Sequence, residues 1–431
     1  MPVVPFETDF FEPETIRAVD AKADLLLLCV AGYILAAVGR VHQLFPALQV
    51  FRPAVLTGLL ALLLYALDRQ SSRRLSAALL QSPTKWIAAL LVWMMLSVPV
   101  ALVAGTSFTL VFDNFIKTAV MYLVIVASVR TVRDVERLAF AYFLGAVIYA
   151  GVVITRFDLG AGDAWRLGRL YYYDANDFAT FAVSALPFGV YFVHAGRTAA
   201  LRACGAAGLV LLTLGFVWSG SRGGFVALTA VAIFIVARYA AMPLRWRLAA
   251  TALVALVLLT TASDHYWQQM GTITSEQDYN RTAESGRLQI WSRGIGYMTK
   301  YPILGLGPGN FQAAEGRLSP YADRQQYGIG VRWNAAHNSF IQIGAELGIV
   351  GLVMFLGAIG SAFDCLRAAG RASQPRGSRS MPPTAVTPAL TASLLGFVVG
   401  AFFLSLAYSE MLYTLIALAA GLRKVTDLSE A

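Results

Sequence analysis

Apolar residues in this chain come in long unbroken blocks, of which "LLLLCVAGYILAAV" and "AALLVWMMLSVPVALVA" are examples. Each block approaches the ~20 residues that a helix needs to cross ~30 Å of hydrocarbon. The pattern predicts spans near 23–40, 53–67, 86–104, 109–128, 135–155, 176–194, 201–217, 223–240, 246–262, 337–363, 385–405 and 409–422. The expected fold is therefore all-α: a polytopic membrane protein with about 12 transmembrane helices. One polar stretch, 263–336, is far longer than an ordinary connection and so reads as functional. It divides the chain into 1–262 with nine helices, a loop domain at 263–336, and 337–431 with the last three. Inside that loop "SGRLQIWSRGIGYMTKYP" has helical spacing, with Leu288, Trp291, Ile295 and Met298 on one side. It predicts a short amphipathic helix at the membrane surface, ended by Tyr301-Pro302. "ILGLGPGNF" then predicts a glycine turn suited to close backbone approach. Residues 371–384, "RASQPRGSRSMPPT", read as a flexible basic linker. No internal repeat is evident.

Composition agrees with this frame. Hydrophobic residues make up 57% and charged residues 14%, with mean hydropathy +0.61, whereas soluble domains carry about 25% charge. The net charge of +9 is distributed unevenly. With the N-terminus in the cytoplasm, every internal cytoplasmic loop is basic, as the positive-inside rule expects. Both termini are then cytoplasmic and 263–336 is periplasmic. The acidic start "MPVVPFETDFFEPET" lacks the basic region of a cleaved signal peptide. Cys29, Cys204 and Cys365 fall in or beside apolar blocks, which fits packing rather than a disulfide framework. Membrane lipids are the expected surroundings, and nucleic acid is not an expected partner.

Basic residues on the outer face oppose the orienting bias. They are Arg156, Arg166 and Arg169; Arg222; and Arg281, Arg287, Arg293, Lys300, Arg317, Arg324 and Arg332. Their concentration points to an anionic ligand there, although Arg317 and Arg324 read as ordinary solvated charge. In "VWSGSRGGFVAL", Arg222 sits at the lip of the bundle in a turn of a few residues. Ser219, Ser221 and the Gly223-Gly224 amides could help it grip phosphate at a helix N-terminus; the alternative is an arginine that snorkels to headgroups. In "RLGRLYYYDANDFATF", Arg166 and Arg169 can reach a phosphate, and Asp174 or Asn176 can cap the next helix. An interfacial aromatic belt explains that segment as well.

Arg287 opens the surface helix against its macrodipole, with Asp278 and Glu284 as possible local partners. His337 stands between Asn334 and Asn338 at the mouth of a span. Its imidazole can take a proton near neutrality, though a lone histidine is more often structural. Asp113 and Lys117 at i, i+4 are expected to neutralise one another, and Glu410 is a further candidate near the outer rim. There is no HxxxH, HExxH or Asp-rich cluster, so neither a metal nor a cofactor is expected.

Three segments in order, "SRGGFVAL", "GRLQIWSRGIGYMTKYPILGLGPGNF" and "AHNSFIQIGAELGIVGLV", within a twelve-span frame, resemble the O-antigen ligase family. Its wider superfamily includes O-antigen polymerases and protein O-oligosaccharyltransferases. The resemblance covers about residues 218–357, and "DANDFA" matches more loosely. It implies a bacterial inner-membrane glycosyltransferase acting on the periplasmic side without metal. The donor would be a glycan on undecaprenyl diphosphate and the acceptor a lipid A-core sugar. It further implies that His337 is catalytic, that Arg222, Arg287, Arg166 and Arg169 bind the diphosphate, and that Asn338, Asn334 and Ser221 support them. A ligase is favoured because no protein-binding domain is appended after the last span. A polymerase or a protein oligosaccharyltransferase is the nearest alternative. A transporter of lipid-linked sugars would call for repeat symmetry and mid-membrane charge.

Overall fold

The computed structural model describes residues 24–68, 70–156, 165–167, 170, 172–239, 241–322, 334–372 and 385–430. Among these residues every regular element is a helix. Seven are long and apolar enough to cross a membrane: Ser82–Val100, Ala104–Ser128, Val132–Arg156, Ala175–Ala195, Ala199–Ser219, Leu244–Thr261 and Ser339–Arg371. Shorter apolar helices occupy Leu25–Ala37, Pro53–Ala66 and Thr387–Ala401. The architecture fits a polytopic membrane protein. Leu25–Ala37, with 13 residues, is only roughly 20 Å long at 1.5 Å per residue. The remaining two expected spans fall on Arg222–Arg238 and Glu410–Glu430, which carry charges near their ends.

Burial ranks the helices. Ala175–Ala195 has 83% of its apolar window inside the protein and Leu244–Thr261 only 6%; the first is the bundle's centre and the second its periphery. Small residues allow that centre to pack closely, as apolar surface alone gives helices no reason to associate in lipid. Gly205 lies directly against the backbone of Val193 and Gly189. The buried Tyr142 hydroxyl meets Ser184 Oγ at 2.7 Å. Asp174, which opens this central helix, thus stands over the bundle's middle.

Two expectations need correction here. No ion pair joins Asp113 to Lys117, and both are exposed. Thr109–Phe115 is a π-helix, whose wider turn removes the i, i+4 register on which the pairing depended. The surface helix forms, as Arg287–Lys300, but it buries Ile290, Gly294 and Tyr297. Leu288 and Ile295 are exposed. Gly294 admits Phe311 and Ile341 against the helix, so a small residue rather than the large apolar ones selects the packed face. Arg293 belongs to this packing as well: it pairs at 2.6 Å with Glu315, which also accepts from Tyr297 Oη at 2.9 Å.

The Ser339–Ala372 helix is broken at Gly348 (φ 71°, ψ −174°). A side chain there would run into the carbonyls of Pro302 and Ile303. The glycine turn of the loop fills the break: Leu306 N–H donates to Ala345 O (3.0 Å), Gly307 N–H to Glu346 O (2.8 Å) and Ile349 N–H to Pro302 O (2.8 Å). Freed backbone groups at this depth need such partners. Glu346, 1% exposed, accepts from Gly309 N–H (2.8 Å), Phe311 N–H (3.1 Å) and Tyr408 Oη (2.7 Å). The "AELG" tetrapeptide is thus the seat of "ILGLGPGNF". Glu346→Ala would strand three donors at about 1–3 kcal/mol each. A clear drop in thermal midpoint is expected by calorimetry in detergent, and an unchanged midpoint would contradict this role.

Candidate functional site

The site gathers at the end of the bundle that carries residues 262–322 and 334–338. Its first wall is the turn between Ala199–Ser219 and Arg222–Arg238. Ser221 caps the second helix, accepting from Gly224 N–H at 3.1 Å, and Ser219 Oγ donates to Phe216 O at 2.6 Å. Both serines are buried, and Gly223 packs on Phe403. Helix capping thus engages Ser221 Oγ and the Gly224 amide, and Ser219 Oγ is bonded within its own helix. These contacts fix Arg222, which emerges at the helix's first position. Its Nη1 donates to Thr272 Oγ1 (2.6 Å) and pairs with Asp278, and the guanidinium lies 5.6 Å from the Tyr279 ring centre.

Arg287 enters from the loop. Gly286 precedes it, and a Cβ there would come within 2.6–2.8 Å of the Tyr279, Asn280 and Ala283 carbonyls. That close approach brings the start of Arg287–Lys300 onto the Tyr279 turn, beside Arg222. Among the described residues neither Asp278 nor Glu284 bonds Arg287 directly, although the Asp278 charge acts on it. Asp278 is taken by Arg222, with Asn280 Nδ2 on its other oxygen at 2.6 Å, and the Glu284 carbonyl accepts from Arg293. Burial raises Asp278, but the bonds from Arg222 and Asn280 outweigh it and hold the carboxyl below its ordinary range. Among the described residues no hydrogen bond or ion pair reaches the half-buried Arg287 guanidinium.

His337 adopts a left-handed backbone, φ 46°, a conformation found in only a few per cent of non-glycine residues. Neighbouring bonds impose it. His337 N–H donates to Ser405 Oγ (2.9 Å), and Ser339 Oγ donates to Leu404 O (2.7 Å) and accepts from Leu406 N–H (2.9 Å). Asn338 Oδ1 caps the helix, accepting from Phe340 and Ile341 N–H at 2.9 and 3.0 Å. On the preceding side Trp291 Nε1 donates to Ala336 O at 3.1 Å. The loop helix and the last interhelical turn therefore hold His337 between them. Asn338 supports through the backbone; for Asn334 the structure gives no comparable bond.

Arg166 comes from the 165–167 segment, which Leu167 N–H ties to Trp218 O at 2.8 Å. It lines a cleft of about 560 Å³ with Tyr172, Asp174, Asn176 and Asp177. Asp174 Oδ1 accepts from Asn176 and Asp177 N–H at 2.7 and 2.8 Å, so it is the cap expected. Arg169 lies outside the described residues. Glu410 pairs with Arg40 at 3.1 Å.

Electrostatic influence links these residues in sequence, Arg222 acting on Arg287 and Arg166, and Arg287 on His337. Burial pushes the Arg287 guanidinium down and Arg222 adds to this; burial and Arg222 do the same to Arg166. Burial lowers His337 below its ordinary value, Arg287 lowers it further, and Asp174 partly restores it. Arginine stays charged at any physiological pH. The cluster therefore holds crowded, partly desolvated cations that an anion would relieve, beside an imidazole kept neutral at pH 7. Sequence reading named Arg166, Arg222, Arg287 and His337. It missed Tyr279, which acts on both Arg166 and Arg287, since nothing in "DYNRT" marks it. It also gave Asp174 only its capping role.

No curated protein matches the chain. The family model described as O-antigen ligase matches residues 207–356, a segment that contains Arg222, Arg287, His337, Glu346 and Gly348. The match covers about a third of the chain, and over that segment the protein is similar to the O-antigen ligase family.

Proposed function

We propose that this protein transfers an O-antigen glycan from undecaprenyl diphosphate to a sugar hydroxyl of the lipid A core, on the periplasmic side of a twelve-span inner-membrane bundle. The carrying observation is geometric: Arg222 lies on the Tyr279 turn against which Arg287 is packed, and the helix that Arg287 opens also holds the backbone beside His337 through Trp291. His337 takes the proton of the acceptor hydroxyl as its oxygen attacks the anomeric carbon. The bond from that carbon to the diphosphate oxygen breaks, and undecaprenyl diphosphate leaves with the electron pair. Arg287, Arg222 and Arg166, with Arg169 nearby in sequence, stabilise the departing charge. Asp278 keeps Arg222 aimed until the diphosphate competes for it. A single displacement inverts the anomeric configuration. Asp174 and Asp177 sit together at one helix start, where they form a capping box rather than the two opposed carboxylates of a retaining mechanism.

Deleting the gene tests the reading: long lipid-linked polymer should accumulate while the core stays unsubstituted. Accumulation of single lipid-linked repeats would identify a polymerase instead, and unprocessed repeats on the cytoplasmic side would identify a transporter.

The pH profile has a defined direction. Because His337 is lowered from about 6.5, transfer should persist below that pH before its acid limb falls. Asp174 raises His337, so Asp174→Asn, which keeps the cap, should move the acid limb of kcat/KM to lower pH. A limb that stays put or moves upward would contradict His337 as the proton acceptor.

A further inference from the structure

A second cleft of about 490 Å³ opens beside the arginine cluster, lined by His42, Gln43, Gln49, Arg52 and Tyr172. It shares Tyr172 with the cleft of Arg166 and Asp174, so one aromatic ring divides two adjoining spaces. The geometry points to this second cleft as a glycan subsite that recognises sugar hydroxyls through amides and an aromatic face, with Arg52 available for an anionic substituent. This inference rests on the transferase reading and extends it to a segment outside residues 207–356.

Three observations carry it. Arg40 stacks on Tyr172 at 3.7 Å and is tethered by Glu410, yet Tyr172 remains 54% exposed. The ring is therefore a fixed platform with open surface of the kind that packs against sugar C–H faces. Next, Gln43 Oε1 is buried without a hydrogen-bond partner among the described residues. A buried polar atom left so is unfavourable, and rotation toward a bound hydroxyl would satisfy it. Last, the segment is bracketed by two non-glycine residues at positive φ, Arg40 (51°) and Arg52 (44°). Such backbone persists only where its surroundings enforce it, and it gathers at ligand clamps and active sites. Packing alone gives no reason for a polar pocket here, since Gln49 and Arg52 are exposed.

Two soluble probes distinguish the glycan's source: donor polysaccharide freed from its lipid diphosphate, and core oligosaccharide freed from lipid A. Saturation-transfer NMR on the full-length protein in nanodiscs would measure each against wild type, Gln43→Ala, His42→Ala and Arg52→Ala. Wild type should bind one probe, and the variants should bind it about tenfold more weakly, the effect of one lost hydrogen bond. The probe that responds tells whether the subsite serves donor or acceptor. Equal affinity in all four proteins, or no binding of either probe to wild type, overturns the subsite. Undecaprenyl diphosphate binding in the same preparations separates the two readings. If wild type binds the lipid, a failed subsite leaves the transferase reading standing; if wild type does not, that reading fails.

Discussion

Replacing His337 by alanine is expected to reduce glycan transfer by about 10²–10⁴-fold, the range for a lost general base, while expression and thermal midpoint change little. The second half follows from where the residue is fastened. Ser405 holds the His337 backbone N–H, and Asn338 and Ser339 supply the caps and bridges around it. Among the described residues the imidazole itself makes no hydrogen bond, so its removal strands no donor or acceptor. A His337→Ala protein with wild-type turnover would remove the imidazole from the chemistry. A protein that failed to accumulate would show that the side chain has a structural role the geometry does not provide.

Arg287→Ala is expected to cost about 10²–10³-fold in kcat, as loss of one charge-stabilising donor does. Arg287→Lys should recover only part of this, because an ammonium lacks the planar fork that grips two phosphate oxygens. The contrast with Arg222 is informative. Arg222 is paired with Asp278 and bonded to Thr272, so Arg222→Ala leaves a carboxylate unpaired and should lower the thermal midpoint as well as transfer. Arg287 has no such partner among the described residues, so Arg287→Ala should spare the midpoint or raise it. Transfer assays and calorimetry on both variants check this; equal midpoint losses would contradict the assignment of Arg222 as tethered and Arg287 as free.

Much of this frame was legible in the residues, for identifiable reasons. Long apolar blocks announce helices whatever their partners, and each of the seven full-length helices coincides with an expected span. Arg222 stood out because a turn of few residues leaves it nowhere else to go. His337 stood out because four histidines in the chain make any one at a helix mouth conspicuous. What stayed hidden depends on contacts far apart in sequence. Proximity along the chain offers the Asp278 carboxylate to Arg287 as a possible partner, whereas the fold delivers it to Arg222, 56 residues away. The π-turn that separates Asp113 from Lys117 leaves no mark that alternation or propensity reveals. Glu346 read as part of a recognition pattern, and only the broken helix at Gly348 gives it a task.

The central claim is that these arginines and this imidazole form one site for a polyprenyl diphosphate-linked glycan. Reconstituted transfer tests it most directly: purified protein in liposomes, an undecaprenyl diphosphate-linked donor, a lipid A-core acceptor and a metal chelator throughout, with NMR of the new linkage. The expected result is product of inverted anomeric configuration, lost with His337→Ala. A retained configuration, or a complete mixture that stays silent until metal is supplied, would contradict it.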